Sequence, residues 1–154
     1  MNIPETVKNL LEKHHFIVVA TLDKDGIIHT SAKAVIEVDQ SGKVFILDLY
    51  KGKTYDNIKN NSSTTITVID EHKFKGYSVK GRSKIFDKAS LPKEILEIWD
   101  DKISKRIARR VIKHVKGEES GHSGVPEARF PVPKYLIELT VDSIVDLAPQ
   151  GIDK

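Results

Sequence analysis

Cysteine is absent from this chain of 154 residues, so it can form neither disulfides nor thiolate metal sites, and thiol nucleophile chemistry is excluded. Long apolar runs are also missing: none is long enough to span a bilayer. The opening stretch MNIPETVKNLLEKHHF carries charges throughout and has no apolar region of the signal-peptide kind. These absences lead us to expect a cytoplasmic protein with no membrane partner. Charge of one sign is scarce as well. Twenty-five basic residues stand against 22 acidic ones, a net of +3 with a pI near 9.0. Anionic ligands are favoured only mildly by the sum, so the position of each base matters more. With no internal repeat and no long linker, residues 1–154 are expected to form one domain with a real core.

Hydrophobic periodicity then orders the chain. Residues 4–15 read as an amphipathic helix, with Pro4 in its first turn and Val7, Leu10, Leu11 and His14 at helical spacing. From Phe16 the period changes to that of strands: FIVVATL, a turn at Asp25-Gly26, IIHTSAKAVIEV, then KVFILDL. In the second of these, Ile28, Thr30, Ala32, Ala34, Ile36 and Val38 share one face, read as core, and the opposite face is mostly polar. GKTYDNIKNN reads as a short helix, TTITVID and YSVKGRSKIFD as two further strands, and KYLIELTVDSIVDLA as the last. A helical excursion is expected over about 90–116, capped by Ser90 and stopped by Gly117, followed by a Gly/Ser/Pro-rich loop over about 117–133. Six antiparallel strands with helical excursions predict a mainly β fold, a small and partly open barrel.

The segment LDLYKGKTYDNI carries the most chemistry. A strand ends, a glycine leaves the backbone accessible, and Lys53 and Thr54 stand where a helix begins. Free N–H groups and the positive end of the helix dipole, with an ammonium and a hydroxyl beside them, make a phosphate cradle. A Walker A loop is excluded, because its first glycine would fall at position 47, which is Leu47. On spacing alone, a plain strand-to-helix turn with a solvated lysine remains the alternative.

Taken in order, ATLDKDGIIHTSAKAVIEV, KVFILDLYKGKTYDNIKNN and YSVKGRSKIF resemble the pyridoxamine 5'-phosphate oxidase-like superfamily of FMN-binding split barrels. The resemblance covers roughly residues 16–87 and extends to the last strand. It is closest to the small FMN-binding proteins whose phosphate loop carries Lys-Thr, then Asn and an aliphatic residue, as Lys53, Thr54, Asn57 and Ile58 do here. It implies a six-stranded antiparallel split β-barrel with FMN as cofactor. Thr30, Ser31, Ala32 and Lys33 would run along the flavin, Ser31 near the phosphate and Lys33 nearer the ring system, with Lys53 and Thr54 completing the phosphate site. It further implies a homodimer with FMN at the subunit interface, to which Trp99 and LIELTV would contribute, and a nicotinamide or other electron donor. An oxidoreductase or electron-transfer role follows; a non-catalytic flavin- or haem-binding module of the same fold is the alternative. Where the true oxidase carries an arginine and, five residues on, a lysine, this chain has Ser31 and Ile36, so its particular flavin contacts are not kept.

Two other patterns are weaker. Six histidines are scattered, with no H-E-x-x-H arrangement, and no metal is expected; His122, in the Gly/Ser-rich loop, is the one to check first. The bases from Lys102 to Lys116 follow an acidic first half of their helix, as the macrodipole prefers, while Ile95, Trp99, Ile103, Ile107 and Val111 form an apolar stripe. A packed helix with a solvated face is therefore expected, and no nucleic-acid partner.

Overall fold

Alternating apolar residues build six strands that close on themselves. In the computed structural model, which describes residues 1–118 and 124–151, the elements run α1 (Glu5–Lys13), β1 (Ile17–Leu22), β2 (Ile28–Val38), β3 (Lys43–Asp48), α2 (Lys53–Asn60), β4 (Ser63–Asp70), β5 (Lys75–Asp87), α3 (Lys93–Val115) and β6 (Tyr135–Asp146). Short 3₁₀ turns cover Lys88–Ser90 and Pro126–Arg129. All strand pairs are antiparallel in the order β1-β2-β3-β6-β5-β4, and β4 returns to β1. The expected antiparallel six-stranded barrel is present, and its sheet is closed rather than partly open, which leaves no free edge. The long β5–β6 ribbon bends at a bulge between Lys80 and Gly81. A Cβ at Gly81 would collide with the carbonyl oxygen of Thr140, so glycine is required there.

Val19, Val44, Ile46, Ile66, Val79, Ile137 and Leu139 fill the interior. Helix α1 covers one end with Val7, Leu10 and Leu11; Glu12 there accepts a hydrogen bond from the Val38 amide. Helix α2 covers the other end with Thr54, Asn57 and Ile58. Helix α3 lies outside the barrel, where Ile95 and Trp99 pack on Ile36, Leu47 and Leu136.

Three expectations are corrected. The faces of β2 are reversed over most of its length. Thr21, Val19 and Ile17 of β1, all buried, stand opposite His29, Ser31 and Lys33, so those three point inward while Ile28, Thr30 and Ala32 point out. A bulge between Val35 and Glu37 then returns Val38 to the core and leaves Ile36 outside, under α3. The long excursion starts at Lys93 with Pro92 as N-cap, and Ser90 belongs to the preceding 3₁₀ turn. Trp99 and the LIELTV strand are covered by the chain itself: Trp99 is 8% exposed, and Leu136, Ile137 and Leu139 are at most 3% exposed. They have little surface left for a partner.

Outward side chains of β1, β2 and β4 form the barrel's other notable surface. Val18, Ala20, Leu22, Ile28, Thr30 and Ala32 stand side by side, with Thr65 and Thr67 flanking them. None is charged, and Val18 and Ile28 are 46% and 69% exposed.

Candidate functional site

Beyond Asp48 the chain leaves β3, turns through Tyr50–Gly52 and enters α2. Gly52 caps that helix in an extended conformation with no side-chain cap. A Cβ placed on it would meet nothing within 4 Å, so the approach to the first amides of α2, which have no intrahelical partners, is unobstructed on that side. Lys53 is exposed at the first helical position, whereas Thr54 is 3% exposed. The Thr54 hydroxyl meets the Ser31 hydroxyl at 2.9 Å across 23 residues of sequence. One turn on, Asn57 donates from Nδ2 to Thr21 Oγ1 at 3.0 Å, a buried bond that ties α2 to β1. The structure thus brings together Ser31 and Thr54, with Lys53 next to them in the chain.

Lys33 points the same way as Ser31 but is engaged. Its Nζ lies 2.5 Å from Asp48 Oδ2, with both side chains largely buried. The same carboxylate oxygen accepts a 2.6 Å bond from the hydroxyl of the fully buried Tyr135. Burial, and then the Asp48 carboxylate, push the Tyr135 phenol far above its ordinary range. Tyr55 of α2 packs edge-on against Tyr135, with centroids 4.9 Å apart, and donates to Asp87, which also pairs with Lys51 at 2.7 Å. That Lys51 hydrogen bond holds the Asp87 carboxyl below its usual range. Asp48, Tyr135 and Asp87 were not singled out in the sequence; Asp48 was detectable as a charge at the inward parity of Val44 and Ile46.

Outside the barrel, a groove of about 550 Å³ runs between the end of α1, the outer side of β2 and β3, and α3. Its wall includes Ala32 and Lys33 among the predicted residues, but not Thr30, Ser31, Lys53 or Thr54. Thr30 faces out beside Ala20, so the four consecutive β2 residues divide between two sides of the sheet. At the β2 bulge, Lys102 Nζ donates to the Ile36 and Val35 carbonyls at 2.5 and 3.3 Å; burial lowers its pKa. Arg106 and Arg110 both engage Glu127, itself 3% exposed, at 3.0 and 2.7 Å. This clamp ties the 3₁₀ turn to α3 and holds the Glu127 carboxyl below its usual range, chiefly through Arg110. Lys102, Arg106 and Arg110 are therefore engaged, while Lys105, Arg109, Lys113 and Lys116 are exposed on the expected solvated face. Burial, then Arg106 and Arg109, lower the pKa of His15 at the groove's edge. His122 lies outside the described residues. Among the described residues, no group of three His, Cys, Asp or Glu side chains could hold a metal ion, and no helix is long and apolar enough to cross a membrane.

The family model for pyridoxamine 5'-phosphate oxidase matches residues 3–131, and the chain belongs to that family of split barrels. No curated protein matches it. Among solved structures, HupZ of Group A Streptococcus superposes with a TM-score of 0.63 at 18% identity, covering 95% of this chain and 94% of that one. An F420 reductase gives 0.60 at 18% identity, covering 93% and 98%. An FMN-binding protein from Syntrophomonas wolfei subsp. wolfei gives 0.58 at 12%, covering 92% and 84%. At these identities the likeness is one of fold.

Proposed function

We propose that this chain is an FMN-binding flavoprotein that works as an oxidoreductase or electron-transfer protein. The observation that carries the reading is the meeting of Ser31 and Thr54 hydroxyls at the uncapped start of α2, beside exposed Lys53. Two hydroxyls, unpaired first-turn amides and an ammonium are the donor set that a phosphomonoester requires. Lys53 supplies charge, Thr54 and Ser31 supply O–H donors, and the open space over Gly52 admits the phosphate oxygens. Thr30, Ala32 and Lys33 continue along β2 toward the groove, with Lys33 held in place by Asp48. When bound, FMN supplies hydride and single-electron exchange, which no side chain here provides.

The uncharged outer face of β1, β2 and β4 supports a homodimer, since apolar and threonine side chains there are left uncovered by the chain itself. Ala32 belongs to both that face and the groove wall, so a cofactor lying across it would sit against the second subunit.

Purified protein is expected to be yellow, and mass spectrometry of the ligand released on denaturation should give FMN. A colourless protein that takes up no added FMN would overturn the reading, and a deazaflavin would correct the cofactor. Reduction of the bound flavin by a nicotinamide donor distinguishes an enzyme from a carrier. Light scattering should give a dimer mass at micromolar concentration.

A further inference from the structure

We propose that Asp48, anchored by Tyr135, is a positioning residue that sets the reduction potential of a bound flavin by holding the Lys33 ammonium and offsetting part of its charge. This role rests on the flavin reading, since it needs a redox group in the groove that Lys33 and Asp48 both line.

Taking an ammonium and a carboxylate out of water is expensive, and well-packed apolar side chains in their place are often as stable or more so. The side chains of Lys33 and Asp48 are only 13% and 6% exposed. At the opposite end of the barrel, Val7, Leu10 and Leu11 of α1 close the fold without any such pair. The fold alone therefore does not call for buried charge at the α2 end. Nor is the pair sealed inside the core, because both side chains reach the wall of a groove of about 550 Å³, the size of a small-molecule site. A charge held in these low-dielectric surroundings acts strongly on whatever fills that space.

The hydrogen bonds fix the carboxylate and leave part of the ammonium unspent. Asp48 Oδ2 takes the Lys33 ammonium at 2.5 Å and the Tyr135 hydroxyl at 2.6 Å, and the Tyr50 amide donates to Oδ1 at 3.4 Å. Tyr135 is fully buried and packed edge-on by Tyr55, so the carboxylate it holds cannot swing toward a ligand. An ammonium has three N–H donors. Among the described residues the ionic partner of Lys33 is Asp48, which leaves N–H groups for a ligand in the groove. Reduction brings electrons onto a flavin ring, and a fixed cation beside the ring favours the reduced form; a carboxylate on that cation takes back part of the gain. Asp48 thus keeps the ammonium in place while limiting its pull on electrons.

Midpoint potentials of the FMN-loaded full chain, read from its visible spectrum against a reference dye at pH 7, test the proposal. Asp48→Asn keeps an acceptor for Tyr135 but removes the negative charge, so the potential should rise. Reduced FMN should gain about tenfold in affinity relative to oxidised FMN, about 30 mV for a two-electron couple. Lys33→Met removes the cation and leaves the carboxylate its Tyr135 donor, so the potential should fall. The double variant is neutral, as the parent's pair is, and should return close to the parent. Damage to packing alone does not produce opposite shifts that cancel. An Asp48→Asn potential at or below the parent's would overturn the proposal, as would a double variant that stays as high as Asp48→Asn. If Asp48→Asn fails to fold, a Lys33→Met potential equal to or above the parent's would overturn it instead. A chain that takes up no FMN would sink the flavin reading and this role with it, whereas bound FMN whose potential ignores all three changes would sink this role alone.

Discussion

The two ends of the barrel are closed by helices in opposite ways. At the α1 end the plug is apolar: Val7 and Leu11 are at most 1% exposed and enter the same core as the strands. At the α2 end the plug is largely polar, with Thr54 on Ser31, Asn57 on Thr21, and Lys33, Asp48 and Tyr135 joined beneath it. An apolar plug tolerates small shifts, because packing is not directional. A polar plug is stable only if each buried group keeps its partner, so it fixes side chains to within a fraction of an ångström. Closing a barrel does not require that precision, but holding a ligand does. The polar end is thus where the chain accepts constraints that its fold could have avoided.

Substitutions at the two ends should separate stability from binding. Asp48→Ala leaves the buried Lys33 ammonium and the Tyr135 hydroxyl without their partner, and denaturant melts should show a loss of about 3–5 kcal/mol. Leu11→Ala at the other end should cost about 2–5 kcal/mol through its cavity, yet the folded protein should bind FMN with unchanged affinity. If Leu11→Ala weakened FMN binding as strongly as changes at the α2 end, the contrast between the ends would fail.

The 3₁₀ turn tied to α3 through Glu127 also depends on buried charge. The Glu127 carboxyl is depressed in the folded state. Its contribution is therefore complete above the ordinary carboxylate range and is lost as pH falls through the lower, folded value. Glu127→Gln should cost about 2–3 kcal/mol at pH 7. The difference from the parent should shrink below about pH 4, which melts at a series of pH values can follow. A gap that stayed constant down to pH 3 would show that the carboxylate's charge is not what the clamp uses.

A smaller effect is expected at Thr54. Thr54→Val keeps the shape but removes the hydroxyl shared with Ser31. The loss in stability should be about 1 kcal/mol and the FMN dissociation constant should rise by about tenfold.

How much of this was legible follows from the range of each signal. The strands and helices were readable because their periods are local, and GKT marked the start of α2 through glycine and helix-dipole chemistry that spans a few residues. The inward face of β2 was not. Ile28, Thr30 and Ala32 look like a core stripe by alternation, but the barrel turns that stripe outward and the bulge at Val35/Glu37 interrupts its parity. The sequence reading therefore assigned Ser31 and Lys33 to the flavin by resemblance, on a face it took for surface. Asp48 was overlooked inside an apolar run because its partners, Lys33 and Tyr135, lie 15 and 87 residues away. The groove was illegible for the same reason: its walls come from α1, β2, β3 and α3, and only folding brings them together.

If the α2 end of the barrel holds a phosphate, Lys53→Ala must weaken that hold without disturbing the fold, since the side chain is exposed and takes no part in the buried network. Titrating parent and variant with FMN and with riboflavin, which lacks the phosphate, should show the FMN dissociation constant rising by roughly ten- to a hundredfold while that of riboflavin barely moves. Unchanged FMN affinity in the variant, or equal losses for the two ligands, would contradict the claim.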